Sequence, residues 1–217
     1  MTKVQIPAGK TWFDVQTRHF ADVPVSAEQE VSTAEFLEAT ESTTTIFDLL
    51  GSAIFTPMKQ DMLFNVNRVR ERQKLAPEVS STLQGLVKDE LTAKAHNAAD
   101  GLTWLVRGLD FMVQAFKADM TANKGVAASD RYPKKEVGDL FRESYKLTLA
   151  PYHSVVIRPI FRAAMVAAPR RKDFYIRLSG QGTDLELTRE GLEKWTAALE
   201  PIVAILQAFL ASQEIKR

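Results

Sequence analysis

The sequence predicts an all-α fold of about eight helices in two packed layers. Three observations carry that prediction. Apolar residues recur at the 3.6-residue helical spacing through most of the 217-residue chain. No stretch alternates apolar and polar residues as a half-buried strand would, and no Asn-Gly pair joins two apolar runs. No repeat period or sustained heptad appears, which argues against a coiled coil.

Taken in order, residues 1–31 are mixed and are expected to form a partly irregular arm, with a short helix carrying Trp12, Phe13 and Phe20. Residues 32–217 are expected to form a single domain. Ser32 and Glu35 have capping-box spacing and open a helix expected to run to Leu50, where Gly51 ends it. Thr56 is the expected cap of the next helix, with Pro57 in its first turn and an end near Leu75, before Pro77. A third helix is expected over Glu78–Ala95, with Val79, Leu83, Leu86, Val87 and Leu91 on one side. Asp100 is expected to cap a fourth over Gly101–Met120, apolar around much of its circumference and therefore central. Helices over Lys134–Leu149 and Pro151–Ala168 follow a polar loop. Pro159 is expected to kink or divide the second of these. A short helix within 170–178 and a long one over Leu185–Ser212, bent at Pro201, complete the chain.

Composition excludes some functions. The 45% hydrophobic and 25% charged residues fit a soluble globular protein, and the net charge of +1 gives no global pull towards nucleic acid. There is no cysteine, hence no disulfide or thiolate metal site. The N-terminal residues lack an apolar signal core, and no apolar run approaches the roughly 20 residues of a membrane span, the longest near-apolar stretch being Pro201–Ala211. A cytoplasmic location is the expectation. His19, His96 and His153 lie far apart without metal-ligand spacing, and no phosphate loop or nucleophile elbow occurs. Nothing marks a catalytic carboxylate pair, so an enzyme is not expected.

The stretch FTPMKQDMLFNVNRV, 55–69, organises the rest. Asp61, Asn65 and Arg68 fall in one narrow helical stripe. Met58, Met62, Val66 and Val69 form an apolar stripe beside it. A solvated helix flank and a polar recognition centre at the mouth of an apolar cavity both satisfy this pattern. Trp104, on the mostly apolar fourth helix, reads either as core or as a ring at a pocket entrance. His153 reads as a helix-end or satisfied core histidine.

LGSAIFTPMKQDMLFNVNRV resembles the heart of the glycolipid transfer proteins. GLTWLVRGLDF (101–111), YHSVVIRPIF and AAMVAAPRRKDF (within 152–174) resemble the same family in the same order. The resemblance spans about Ser32 to Phe209 and is nearest the fungal heterokaryon-incompatibility glycolipid transfer proteins. It implies a two-layer helical sandwich enclosing a lipid chamber, and a non-enzymatic carrier that moves glycosphingolipids between membranes without a cofactor.

The resemblance also implies roles. Asp61 accepts from the ceramide amide N–H and from sugar hydroxyls, Asn65 and Arg68 bond the sugar, Trp104 stacks on it, and His153 donates to the amide carbonyl. Arg68 departs from the family's usual lysine, an exchange that is not neutral. Asn65 and Trp104 match the sugar-headed branch, because the phosphate-headed branch carries lysine and arginine there. The implied chamber is lined by Phe47, Ile54, Phe55, Met58, Phe111, Leu149, Phe161, Ala164, Met165 and Phe174. Read without the resemblance, these are ordinary core residues.

The chemistry is coherent. A ceramide amide entering an apolar site loses water from one donor and one acceptor, at about 1–3 kcal/mol for each unpaired group. A carboxylate and an imidazole that pair both remove the cost and read the amide. The expected ligand is a glucosyl-, galactosyl- or lactosylceramide, carried by a monomer that touches membranes transiently. Residues 158–177 hold Arg158, Arg162, Arg170, Arg171, Lys172 and Arg177 against Asp173. They form either a headgroup-contacting excess or a solvated face. Val155 stands where animal members carry a membrane-inserting tryptophan. The alternative function is a lipid sensor or interaction protein. Ile46–Leu50, within IFDLLGS, is a candidate docking segment for an endoplasmic-reticulum receptor.

Overall fold

A computed structural model describes residues 4–213. Residues 1–3 of the expected arm and 214–217 of the expected domain lie outside that range. Among the described residues there are nine α-helices and no strand, only three isolated backbone bridges. The helices are α1 (Thr33–Thr43), α2 (Ile46–Leu49), α3 (Thr56–Leu75), α4 (Leu83–Thr92), α5 (Asn97–Ala122), α6 (Val137–Leu147), α7 (Ile157–Val166), α8 (Arg171–Arg177) and α9 (Leu185–Ser212).

The predicted helix 32–50 is divided in two. Thr43, Thr44 and Thr45 each turn a hydroxyl back onto a carbonyl of the preceding turn, those of Ala39, Glu41 and Ser42. Such local bonds compete with the helical ladder and end α1 there. The Ser32–Glu35 capping box is also corrected. The Ser32 hydroxyl donates to the Glu35 carboxylate and caps no backbone N–H. Gly51 does end α2, in the left-handed region at φ +74°, with the Arg177 guanidinium bonded to the Leu50 carbonyl beside it.

Thr56 opens α3 as a helical residue rather than as its cap, because a 3₁₀ turn over Ala53–Phe55 runs directly into it. The third helix starts later than expected. Thr82 caps α4 by accepting from Gly85 N–H at 3.1 Å, which leaves Val79 exposed on the preceding loop. The start of α5 is capped from another helix, not by Asp100. The buried Glu90 carboxylate accepts from the N–H groups of Ala98 and Ala99 at 2.9 and 2.8 Å. Pro159 kinks nothing: α7 begins at Ile157, so the proline sits in the first turn, where its missing N–H has no helical partner to lose.

α5 is the centre, as its apolar circumference predicts. It packs against α3, α4, α6 and α9. Gly101 allows the closest approach to α3, since a Cβ there would meet Arg68 Cβ at 3.1 Å and the Asn65 carbonyl at 3.2 Å. At the far end of α5, Asp119 pairs with Arg171 of α8 at 2.8 Å and accepts from Tyr175 at 2.6 Å, all buried. Arg171 and Asn123 also bond the carbonyls of Ala127 and Lys135, so this cluster holds the polar loop over 123–136.

The N-terminal segment packs into the same core. Trp12, fully buried, donates from Nε1 to Thr45 at 2.8 Å and lies 6.4 Å from Trp195 of α9. Phe20 meets Trp195 edge-on at 5.7 Å. α9 corrects one expectation: averaged over an 18-residue window, it is long and apolar enough to cross a membrane, although its longest uninterrupted run is short. Here its apolar stripe of Leu192, Leu199, Ile202, Val203 and Leu206 is buried, and the helix packs along α5.

Candidate functional site

α3 brings Asp61 and Asn65 of its polar stripe to one end of an apolar cavity, while Arg68 lies outside the cavity wall. Phe47, Phe55, Met58, Phe111, Leu149, Phe161, Ala164 and Met165 line that cavity, with Asp61, Asn65, Trp104 and His153 at its polar end. Of the expected chamber residues, Ile54 and Phe174 are not in its wall. Ile54 packs at the edge of the main core, and Phe174 is buried against Phe116, Phe141 and Tyr175. Leu50, Met62, Leu105, Met112 and Phe141 line the cavity without having been singled out for it. Met62 lies on the apolar stripe beside Asp61. The others carry no signal separating a cavity wall from ordinary core.

The cavity holds about 80 Å³. Half of its lining residues are Met or Phe, and the unbranched Met side chains adjust to fill irregular space. A second pocket, between the starts of α3 and α7, is lined by Pro57, Met58, Ile157, Ile160 and Phe161 and shares Asp61, Trp104 and His153 with the cavity.

The three stripe residues are not equivalent. Asp61 is exposed at the rim, while Asn65 is 2% exposed. Asn65 Nδ2 donates to the Asp61 carbonyl at 2.9 Å, and its Oδ1 accepts from Arg68 at 3.1 Å. Arg68 also donates to Asn97 at 2.8 Å and lies 3.7 Å from Asp100, so α5 anchors its guanidinium. Although the residue stands at the exposed rim, partial desolvation of its carboxyl pushes the Asp61 pKa above its ordinary value, opposed by the Arg68 charge and the Asn65 amide. A partly desolvated carboxylate is a strong acceptor for an incoming N–H or hydroxyl.

Trp104 and His153 meet here from distant parts of the chain. Their rings stack at 5.5 Å and 23°. The Arg107 guanidinium lies 5.1 Å from the Trp104 ring and 3.5 Å from that of Tyr152. Trp104 is thus a half-buried ring at the cavity entrance, neither pure core nor fully open. His153 occupies the turn ahead of α7 rather than a helix start. Its N–H bonds the Leu149 carbonyl at 3.1 Å, its ring lies 4.4 Å from Phe161, and its Nδ1 is 3.1 Å from the Tyr145 hydroxyl. Burial, with the Arg158 and Arg107 charges, pushes its pKa below the ordinary histidine value.

The basic patch over 158–177 does not form one face. Arg171 is buried against Asp119, and Arg177 bonds the Leu50 carbonyl. Beside the exposed Arg162 and Arg170 the surface presents aliphatics: Val155 (79% exposed) and Val156 (71%) stand clear, followed by the partly exposed Ile157 and Ile160 at the second pocket. Ile46 and Leu50 are buried and Phe47 faces the cavity, so this segment offers no free peptide.

Against known proteins, residues 31–180 match the family description "Glycolipid transfer protein (GLTP)". The chain is 48% identical over 210 residues to a glycolipid transfer protein of Aureobasidium melanogenum, covering 97% of this chain and 98% of that one. The crystal structure of HET-C2, a fungal glycolipid transfer protein, superposes with TM-score 0.84 at 45% identity, covering 95% of this chain and all of the other. A structure describing how FAPP2 selects simple glycosphingolipids using the GLTP-fold superposes with TM-score 0.79 at 25% identity, covering 93% and 95%.

Proposed function

The chain belongs to the glycolipid transfer protein family, and on that premise we propose that it is a non-enzymatic carrier binding one glycosphingolipid and moving it between membranes. The observation that carries this is the convergence of Asp61, Asn65, Trp104 and His153 on the polar end of one apolar cavity. The carboxylate accepts from the amide N–H and sugar hydroxyls, the imidazole donates to the amide carbonyl, and the tails enter between the Met and Phe side chains. A lipid without the amide N–H leaves Asp61 one partner short, which favours sphingolipids.

The headgroup in this reading is a neutral sugar, of the glucosyl-, galactosyl- or lactosylceramide class. A phosphate would need free cations, whereas Asn65 is neutral and Arg68 is already held by Asn97 and Asp100. In this reading the sugar stacks on the Trp104 ring, whose position is braced by the His153 ring. The protein acts as a monomer in the cytoplasm and touches membranes through Val155, Val156, Ile157 and Ile160. Ile157 and Ile160 line the pocket that also holds Asp61, Trp104 and His153, and the exposed Val155 and Val156 directly precede them in the chain. Receptor docking through Ile46–Leu50 draws no support from their packing.

The test is transfer of galactosylceramide between vesicles, with mass spectrometry of the lipid afterwards. A carrier speeds exchange at substoichiometric amounts and leaves the lipid unaltered. Failure to speed exchange, a chemically altered lipid, or a preference for ceramide phosphate overturns the respective part of the reading.

A further inference from the structure

Tyr145 lies on α6, 4% exposed, outside the cavity wall. Its ring lies nearly parallel to that of Phe161, at 5.2 Å and 11°, and its hydroxyl reaches His153 Nδ1 at 3.1 Å. Among the described residues this is the hydroxyl's single hydrogen-bond partner. We propose that Tyr145 is a positioning residue, donating to His153 Nδ1 and so holding the imidazole as the Nε2–H tautomer that presents a donor to the lipid's amide carbonyl. This inference rests on the carrier reading above for its consequence, though not for its geometry.

Two protonation patterns fit a phenol 3.1 Å from an imidazole nitrogen. If Nδ1 donated, the buried phenol hydrogen would be left without an acceptor, a costly arrangement. If the phenol donates, both groups are satisfied and the proton of neutral imidazole must sit on Nε2. Burial pushes Tyr145 up and His153 down, which keeps the phenol a donor and the imidazole neutral. The ring cannot turn over without losing this bond, because a flip would place carbon against the hydroxyl. Trp104 at 5.5 Å, Phe161 at 4.4 Å and the His153 N–H bond to Leu149 hold it in place. Presentation of the correct tautomer in advance avoids a proton rearrangement as lipid enters.

The experiment combines long-range proton–nitrogen NMR of histidine-labelled protein with galactosylceramide transfer, on wild type, Tyr145→Phe, His153→Ala and the double variant. Wild-type His153 should show the Nε2–H pattern without lipid, and Tyr145→Phe should show a mixed or altered one. Transfer by Tyr145→Phe should fall about three- to tenfold, the effect of one misdirected hydrogen bond. In the His153→Ala background the same change should cost nothing further. An Nδ1–H pattern in wild type, an unchanged pattern in Tyr145→Phe, or an undiminished loss in the double variant overturns the proposal. Wild-type protein that moves no galactosylceramide would instead overturn the carrier reading, whatever the tautomer.

Discussion

Trp104 and His153, on α5 and in the turn ahead of α7, stack with ring centroids 5.5 Å apart and planes 23° from parallel. The residue proposed to bind sugar and the residue proposed to bind the ceramide amide are therefore one mechanical unit. A change at either ring disturbs the other, and the headgroup and amide contacts should not be separable by mutation at Trp104.

Trp104→Ala should lose about tenfold or more in transfer, from the missing sugar platform and the released imidazole together. It should also lose most of the emission change seen when glycolipid vesicles are added. Trp12 and Trp195 are packed in the core and should stay silent. A full emission response in Trp104→Ala would make Trp104 a core residue only.

Asp61→Val should reduce lipid affinity by about two orders of magnitude, since two charge-assisted contacts are lost. Its thermal midpoint should stay close to wild type, because the side chain sits at an exposed rim. Near-normal transfer would remove Asp61 from the site, and a collapsed midpoint would make it structural.

Asp61 also sets a pH dependence. Partial desolvation at the rim raises its folded-state carboxyl pKa above the unfolded value, so the folded chain holds that proton more readily. The ionised form costs stability above the folded-state value, and the cost is relieved as pH falls towards the unfolded one. Asp61→Asn should therefore match or exceed the wild-type midpoint at neutral pH, with the difference vanishing in acid. A variant less stable at pH 7 would show that the Arg68 attraction outweighs burial.

Val156→Asp should weaken attachment to vesicles several-fold while leaving the fold intact, as the residue is 71% exposed. Val155→Trp should strengthen attachment, since tryptophan favours the membrane interface. Co-sedimentation with vesicles measures both, and unchanged binding in both would move the contact surface elsewhere.

Asp119→Ala leaves Arg171 buried without its partner and should destabilise the protein by about 3–5 kcal/mol. Urea denaturation checks it. A loss below about 1 kcal/mol would mean that the carbonyl of Ala127 alone suffices for Arg171.

The sequence by itself determined the helical class, the long α5 and α9, and the polar stripe of α3, because each rests on 3.6-residue periodicity within one segment. Asp61, Asn65 and Arg68 were legible because one helix carries all three, and Trp104 and His153 because their motifs resemble a family. The boundaries that failed were decided by partners elsewhere. Glu90 caps α5 across a turn, and three consecutive threonine hydroxyls end α1 on their own carbonyls. Only the tertiary structure separated cavity wall from core among apolar residues, putting Phe141 in the wall and Phe174 behind it. It alone buried Arg171 out of an apparent basic patch and brought the Tyr145 hydroxyl to His153. Periodicity reports which side of a helix faces inward. What it faces depends on where α5, α6 and α7 cross, and no local pattern encodes that.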